Sequence, residues 1–311
     1  MNNAEIRAVH ENDTESAVEV LAQAFGEMRR KRIHDRLVDR TTGLHHALVA
    51  EDNGAIVGVA MLCADPLYPG TLFAIAAVAA HRRGAGIGTE LVTTLVAAAH
   101  AVKPAQQVSL TLPDDQPAGR RFAERFGFRV IEHSVGWRMP LAGRTDELRK
   151  LSRAAAERAG VRIAVTTPAA DPDLATDIVV RSMPGLPRQA GAFDVQESRK
   201  TVPGDAPVFL AFPSDPSSGR ALAICTIVPV GTDGEWLTMY TGVDADHRGR
   251  GIARAVKTAA LAYVAEQGGT AMITHNDETN EPILHVNKSL GMTPGVGFWT
   301  FARHGLPPKV R

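Results

Sequence analysis

The stretch R-G-R-G-I-A occupies residues 248–253, between an extended apolar segment (236–243) and an alanine-rich segment (253–265) with helical character. Glycines at such a junction adopt backbone angles closed to other residues, and they let a ligand approach the main chain closely. The free amide groups at the start of the following helix point back at the junction and favour an anion such as phosphate. Arginine adds charge-assisted hydrogen bonds to the same anion. The stretch therefore predicts a strand–loop–helix unit that holds a diphosphate.

A nearly identical string, R-G-A-G-I-G, occupies residues 83–88 and begins 165 residues before R-G-R-G-I-A. The same spacing recurs at other landmarks, since Gly54 and Gly219 are also 165 residues apart and Gly127 and Gly291 are 164 apart. Three coincidences within one residue of a single offset predict a duplicated domain.

The duplication predicts two domains, residues 1–143 and 160–311, joined by a polar helical linker at residues 144–159. In each copy the hydrophobic pattern predicts a strand, helices, a hairpin of apolar strands and a third strand that runs into the glycine-rich loop. A helix, a short strand and a last helix follow. The predicted class is therefore α/β (α+β), with helices flanking a sheet in each domain.

Composition restricts the partners and the compartment. The chain of 311 residues has 34 Lys and Arg against 34 Asp and Glu, so no excess of positive charge favours nucleic acid or an anionic membrane. No apolar run reaches the roughly 18 residues of a membrane span, and the N-terminus lacks a signal pattern. Cys63 and Cys225 lie in apolar segments, which predicts buried thiols in a reducing compartment. Since no cluster has metal-ligand spacing, we expect a cytoplasmic protein without a metal or a membrane partner.

The spacing of the loop residues distinguishes between phosphate-binding motifs. Neither copy has the Lys-Ser/Thr pair of a Walker loop, and the dinucleotide pattern G-x-G-x-x-G fails in the second copy, where Arg254 stands at the third glycine. The pattern R-x-x-G-x-[GA] fits both copies and resembles the coenzyme A diphosphate loop of the GNAT acyltransferases. The resemblance implies two tandem GNAT folds, each a mixed, mostly antiparallel twisted sheet flanked by helices. It also implies acetyl-CoA, or another acyl-CoA, as co-substrate.

The resemblance assigns the acyl-CoA contacts residue by residue. In the first copy they are Val78, Arg83, Gly84, Ala85, Gly86, Ile87 and Gly88. In the second copy they are Val243, Arg248, Gly249, Arg250, Gly251, Ile252, Ala253, Asn276, Asn280 and Asn287. Val78 and Val243 take the place where the family's backbone N–H faces the thioester carbonyl. The tyrosine that many members use as a general acid is replaced by Ala123 and Asn287.

Several features favour the second copy as the catalytic one. Asn276 and Asn280 place amide side chains near the entry of its last helix, where the first copy has the proline-containing segment 112–117. The second copy also contains the candidate acid and base residues, which are Glu235, Tyr240 and His275. Strand alternation predicts that Glu235 shares a face with Val243. A chain of ordered waters in place of all three remains an alternative.

The leading interpretation is an N-acyltransferase that moves an acetyl group from acetyl-CoA to a primary amine of a small molecule by direct attack in a ternary complex. The absent tyrosine leaves open a non-catalytic acyl-CoA-binding sensor or scaffold. The basic run at residues 28–36 leaves open aminoacyl-tRNA as the donor, although the neutral charge argues against it.

Residues 183–188 are expected to cover the acceptor site, with Arg188 available to an acidic acceptor. The tandem architecture resembles that of mycothiol synthase-like proteins, and a monomer or homodimer is expected.

Overall fold

A computed structural model describes residues 4–26, 30–38, 43–64, 68, 70–99, 101–102, 107–170, 172–185, 202–215, 219–231 and 233–304. Two predicted features fall partly or wholly elsewhere in the chain. The start of the basic run at residues 28–36 and the end of the segment 183–188, including Arg188, lie outside the described residues.

The chain forms two compact units. Of the described residues, unit 1 comprises 4–133 and 298–304, and unit 2 comprises 134–185 and 202–297. The boundaries of these units differ from the predicted ranges 1–143, 144–159 and 160–311. The difference arises because the strand that follows the last helix of each repeat contributes residues to the sheet of the other unit.

Unit 1 contains a six-stranded sheet in the order β1-β2-β3-β4-β5-β12. Its strands are β1 (Glu5–Ala8), β2 (Leu44–Asp52), β3 (Ala55–Ala64), β4 (Thr71–Val78), β5 (Gln107–Pro113) and residues 298–304 of β12 (Thr293–His304). Its helices are α1 (Thr14–Phe25), α2 (Arg30–Val38), α3 (Ile87–Ala99) and α4 (Pro117–Arg125). Only the neighbours β4 and β5 are parallel among these pairs. Asn53 and Gly54, with φ of +50° and +81°, form the two-residue turn that joins β2 to β3.

Unit 2 repeats this plan in the order β6-β11-β10-β9-β8-β7. Its strands are residues 134–140 of β6 (Arg129–Pro140), β7 (Val161–Thr166), β8 (Val208–Pro213), β9 (Ala223–Val230), β10 (Glu235–Val243) and β11 (Ala271–Asp277). Its helices are α5 (Thr145–Ala159), α6 (Pro172–Ser182), α7 (Ile252–Glu266) and α8 (Glu281–Ser289). Again one neighbouring pair, β10 and β11, is parallel. The prediction of mostly antiparallel sheets flanked by helices is confirmed.

Helix α7 anchors the core of unit 2. Ile252, Val256 and Leu261 on this helix are each at most 2% exposed, and burial of each such side chain contributes about 2 kcal/mol. Helix α5 packs into the same core through Leu148, and its Arg149 lies 2.9 Å from Glu266 of α7. The segment predicted as a linker therefore belongs to the compact body of unit 2.

Both cysteines are buried thiols, as predicted. Cys63 lies on β3 in unit 1, and Cys225 lies on β9 in unit 2. Burial raises the pKa of the Cys225 thiol, so it stays protonated at neutral pH.

Candidate functional site

The two parallel strands of unit 2 separate part-way along their length. β10 and β11 are paired only from their first residues to Thr238 and Thr274, although the strands continue to Val243 and Asp277. The backbone groups beyond Thr238 therefore face a gap between the strands. An extended ligand with its own amide groups would satisfy such strand edges.

Unit 1 contains the same kind of gap. β4 and β5 are paired from Thr71 and Gln107 to Phe73 and Ser109, whereas β4 continues to Val78. Both repeats thus combine a parallel pair at the base of the gap with diverging strand ends. In each, the glycine-rich loop follows the diverging first strand.

The strand-end valines direct their N–H groups into these gaps. The N–H of Asp244 donates to Leu222 on the far side of β10, and the N–H of Ala79 donates to Val57 on the far side of β4. Because consecutive N–H groups along a strand point to opposite sides, those of Val243 and Val78 point toward the gap. This orientation fits the place that the sequence assigned to both valines.

The glycine-rich loops have matching backbone conformations. Gly249 and Gly251 have φ of +76° and +77°, and Gly84 and Gly86 have φ of +83° and +89°. A Cβ built on any of the four would meet no atom within 4 Å, so the requirement for glycine is conformational and the space in front of the loop is open.

Each loop leads directly into a helix whose first amides lack intrahelical partners. The first helical hydrogen bond of α7 runs from Ala255 to Gly251, and that of α3 runs from Glu90 to Gly86. The amides that precede these donors are available to an anion at the loop. They belong to the predicted contact residues Ile252 and Ala253 in unit 2, and Ile87 and Gly88 in unit 1.

The arginines that begin the two loops bind carbonyl groups of the protein. Arg83 Nε donates to the Val78 oxygen at 3.0 Å, and Arg248 Nε donates to the Val243 oxygen at 3.4 Å. Arg248 Nη2 also donates to the Ser182 oxygen at 2.7 Å. Both guanidinium groups therefore brace the loop against the strand end, and each keeps further N–H groups, so the predicted diphosphate contacts stay a prediction.

Arg250 is an exposed cation of the unit 2 loop. Its Nη2 lies 3.4 Å from the Asp246 oxygen, and the side chain is otherwise open to solvent. The same position in unit 1 is Ala85. Unit 2 therefore offers a positive charge at the loop that unit 1 does not offer at the equivalent position.

A β-bulge at Met239 changes the alternation along β10. Trp236 and Val243 belong to one apolar cluster and Tyr240 belongs to another, although strict alternation would place Trp236 with Tyr240. Glu235, next to Trp236, therefore faces away from the side of Val243. The prediction that these two residues share a face is wrong, because one inserted residue reverses the alternation.

Glu235 also lies far from the gap. It is eight residues from Val243, or about 26 Å along an extended strand. Arg138 Nε and Nη2 donate to Glu235 Oε1 at 3.0 and 2.8 Å. The carboxylate is thus engaged in an ion pair at the opposite end of the strand.

Tyr240 has its hydroxyl proton committed within the protein. Ser182 Oγ donates to the Val179 oxygen at 2.8 Å, so the 2.8 Å contact between Tyr240 and Ser182 has the tyrosine as donor. Burial raises the pKa of Tyr240, which keeps the phenol protonated at neutral pH. His275, in contrast, lies on the diverging part of β11, and its Nε2 is 3.2 Å from the Val296 oxygen.

Two asparagines of the predicted set contact each other. Asn287 Nδ2 donates to Asn276 Oδ1 at 2.7 Å, and Asn287 is fully buried. Asn280 immediately precedes α8, and its backbone N–H donates to the Asp277 oxygen at 3.0 Å. The structure therefore brings Asn276 and Asn287 together beside the gap.

Comparisons with known proteins agree with this geometry. Residues 43–130 match the family model described as "Acetyltransferase (GNAT) domain", and residues 181–292 match that described as "Acetyltransferase (GNAT) family". The chain belongs to the GNAT acetyltransferase family. It is an acetyltransferase with two GNAT domains in tandem, as predicted.

Curated relatives extend over most of the chain. A mycothiol acetyltransferase of Kocuria rhizophila is 25% identical over 263 residues, which cover 82% of this chain and 84% of that protein. A mycothiol acetyltransferase of Saccharomonospora viridis is 26% identical over 232 residues, which cover 68% and 67%.

Solved structures share the fold of the GNAT chain. A tandem GNAT protein from the clavulanic acid biosynthesis pathway aligns with a TM-score of 0.74 at 20% identity, covering 99% of this chain and all of that one. A GCN5-related N-acetyltransferase from Sphaerobacter thermophilus aligns with a TM-score of 0.67 at 16% identity, covering 100% and 98%.

Unit 2 also contains polar groups near the loop that the sequence pattern did not reveal. Asp244, at the end of β10, forms a buried ion pair with Arg181 of α6 and accepts a hydrogen bond from the Asp246 amide at 3.0 Å. Burial by itself would raise the pKa of Asp244, but hydrogen bonds from the Asp246 amide, His247 and Arg181 hold it below its ordinary value. No motif marks this pair, because its members are far apart in sequence.

Among the described residues of unit 2, the buried polar atoms without a hydrogen-bond partner include Trp137 Nε1, Lys257 Nζ and Asn287 Oδ1. Native proteins leave few such atoms unpaired, and each requires a specific explanation.

Two classes of feature are not found within the described ranges. No cluster of His, Cys, Asp and Glu there could hold a metal ion. No helix among the same residues is both long and apolar enough to span a membrane.

Proposed function

We propose that unit 2 transfers an acetyl group from acetyl-CoA to the primary amine of a small molecule by direct attack in a ternary complex. The observation that carries this proposal is the gap that opens beside β10, followed along the chain by the open glycine loop at the start of α7. Another acyl chain on the same carrier would use the same gap and loop.

The loop residues hold the diphosphate of the donor. The amides of Gly249, Arg250, Gly251, Ile252 and Ala253 form the cradle, with the Arg250 side chain adding charge. The braced Arg248 keeps this loop in shape. Val78 and residues 83–88 provide the equivalent contacts in unit 1.

The gap between β10 and β11 receives the arm that carries the thioester. The Val243 N–H polarises the thioester carbonyl and stabilises the negative charge that develops on its oxygen. Asn276 on β11 and Asn280 at the start of α8 are the proposed amide contacts of this arm. Holding the acyl carbon beside the acceptor amine supplies the proximity contribution of a ternary complex.

His275 is the proposed group that takes the proton from the attacking amine, directly or through water. It lies on the diverging part of β11, one residue after the last parallel pair. Tyr240 is a less suitable acid or base, because its proton is donated to Ser182 and its pKa is raised.

Unit 1 is proposed to bind acyl-CoA without catalysing transfer. It keeps the loop geometry but has Ala85 where unit 2 has Arg250. The basic segment that suggested tRNA is partly neutralised where it is described, since Arg30 lies 2.7 Å from Glu19. An acyl-CoA therefore remains our proposed donor.

Native mass spectrometry with acetyl-CoA, together with a thiol-release assay on a panel of primary amines, tests the proposal. The acceptor of the mycothiol acetyltransferases belongs in the panel because those relatives span most of the chain. Gly251→Glu is expected to remove binding to unit 2 and all turnover, and Gly86→Glu to remove only a second CoA. Gly268→Glu is the matched control, since Gly268 also has positive φ and open space but lies beyond the far end of α7.

The proposal is wrong if the wild-type protein releases thiol with no amine or if Gly251→Glu retains full turnover. A large loss in the Gly268→Glu control would show that backbone strain, and not the loop position, explains the Gly251 result.

A further inference from the structure

Asn276 and Asn287 form a polar pair that only one repeat contains. At the offset that aligns Gly127 with Gly291, the equivalents of Asn276 and Asn287 are Leu112 and Ala123. Unit 1 therefore has two apolar side chains where unit 2 has two amides joined by a 2.7 Å hydrogen bond.

The two asparagines have different surroundings. Asn287 is fully buried. Its Nδ2 group donates to Asn276, and its Oδ1 atom has no hydrogen-bond partner. Asn276 is partly exposed and lies two residues beyond the last parallel pair at Thr274, or about 7 Å into the diverging part of β11. Asn276 can therefore reach a ligand in the gap, whereas Asn287 is covered by the protein.

The hydrogen bond fixes which end of the Asn276 amide faces the gap. Asn287 occupies the Oδ1 atom of Asn276, so the Nδ2 group at the other end of that planar amide is directed away from Asn287. Rotation of the Asn276 amide alone would bring two NH2 groups together in a buried environment, so this rotation would cost the hydrogen bond.

We propose that Asn276 is a catalytic residue of unit 2, whose Nδ2 group donates a hydrogen bond to the thioester sulfur as it leaves, and that Asn287 is its positioning residue. This inference rests on the proposed function. It assigns Asn287 to the orientation of Asn276 and not to direct contact with the donor. The Val243 N–H on β10 addresses the carbonyl, and Asn276 on β11 addresses the sulfur on the opposite side of the gap.

The step requires no acid from the protein. The amine nitrogen forms a bond to the acyl carbon and loses one proton to His275, directly or through water, and the C–S bond then breaks with its electron pair going to sulfur. The Asn276 amide lowers the energy of the developing thiolate without transferring a proton. The thiolate afterwards takes up a proton from solvent, so the overall products are the amide and the free thiol.

Steady-state kinetics of single and double variants test the assignment. Asn276→Ala is expected to lower kcat about 100-fold and Asn287→Ala about 10-fold, with little change in the KM for acetyl-CoA, because the donor acts mainly in the transition state. In an Asn276→Ala background, Asn287→Ala is expected to have no further effect on kcat, since a positioning residue acts only through its partner.

Asn276→Asp tests the direction of the amide. An aspartate at this position still accepts from Asn287 Nδ2 but presents an oxygen to the sulfur, so kcat is expected to fall at least as far as in Asn276→Ala while the thermal midpoint changes little. Gln107→Ala is the control for loss of a side-chain amide. Gln107 Nε2 donates to Thr71 in unit 1 at 3.2 Å, and its loss is expected to leave kcat unchanged.

Several results would overturn the inference. Additive effects of the two alanine variants would show that Asn287 does not act through Asn276. An Asn276→Asp variant with wild-type kcat would exclude the donor role. If instead the wild-type protein binds no acetyl-CoA, the proposed function itself fails, which is a distinct outcome from turnover that is insensitive to both asparagines.

Discussion

Lys257 lies on α7 with 3% of its surface exposed, and its Nζ has no hydrogen-bond partner. Burial lowers its pKa, and the nearby thiol of Cys225 opposes this only in part. The equivalent residue in unit 1 is Val92, which is buried among apolar side chains. Replacing Lys257 with methionine, which has a similar volume, removes the amine without opening a cavity. We expect the variant to be more stable than the wild-type protein at neutral pH.

The size of the effect follows from the proton equilibrium. A buried unpaired ammonium is unfavourable by several kcal/mol, but the amine can avoid that penalty by releasing its proton. Releasing a proton from an ordinary lysine at pH 7 costs about 4.6 kcal/mol, since its pKa is about 10.4 and each unit is worth about 1.36 kcal/mol. This figure is the upper limit of the ionisation penalty, and we expect Lys257→Met to gain about 2–4 kcal/mol.

The pH dependence has a defined sign. Because the folded pKa of Lys257 is lowered, the unfolded chain binds more protons between that value and about 10.4. The penalty is therefore largest below the folded pKa, and wild-type stability rises through this window by up to about 1.4 kcal/mol per pH unit. Cys225 acts in the opposite direction, because burial raises its pKa, but only above about pH 8.5.

Urea unfolding followed by tryptophan fluorescence measures the difference between wild type and Lys257→Met from pH 6 to 8.5, because two of the three tryptophans, Trp137 and Trp236, belong to unit 2. The reasoning is supported if the free energy of unfolding of Lys257→Met exceeds that of the wild type and this excess does not grow with pH. The excess is expected to stay constant below the folded pKa of Lys257 and to decrease above it. A less stable variant at pH 7 would refute it, since the amine would then have a compensating role in the folded protein.

Two further substitutions separate stability from catalysis in unit 2. Asp244→Asn should reduce the free energy of unfolding by about 3 kcal/mol at neutral pH, because it breaks a buried ion pair with Arg181. Since the pKa of Asp244 is lowered in the folded state, this loss should disappear as the pH falls through that pKa, which chemical denaturation at acidic pH would detect. Tyr240→Phe should reduce the free energy of unfolding by about 1 kcal/mol, because the hydrogen bond to Ser182 is lost, and should leave kcat within about twofold. A large fall in kcat would instead show that Tyr240 takes part in the reaction.

Local elements followed from the sequence where glycines and hydrophobic periodicity coincide. The alanine-rich segment at 253–265 lies within α7 at Ile252–Glu266, and the extended segment at 236–243 lies within β10 at Glu235–Val243. The loop conformation was equally predictable, because a residue with φ near +77° before a helix is almost restricted to glycine. Short-range backbone requirements thus leave a readable pattern in the chain.

Long-range features left no such pattern. The apolar alternation of residues 298–304 is compatible with any sheet edge, so their pairing with β5 could not be derived from local sequence. The bulge at Met239 follows ordinary strand residues, T-M-Y, and no glycine marks it. This single residue invalidated the argument for Glu235. The ion pair of Asp244 and the contact between Asn276 and Asn287 likewise depend on tertiary packing.

The differences between the two repeats argue for a division of roles. The loop glycines keep the same positive φ in both units, so the backbone requirement of the loop has been retained. The side chains around it differ, with amide or charged residues in unit 2 and apolar residues at the equivalent positions in unit 1. These pairs are Arg250 and Ala85, Lys257 and Val92, Asn276 and Leu112, and Asn287 and Ala123. Buried polar groups reduce stability unless they are satisfied, so an apolar residue is the more stable choice at the buried positions. Their accumulation in unit 2 is expected where function has outweighed stability, which supports our proposal that unit 2 carries out the transfer while unit 1 keeps the fold and the loop.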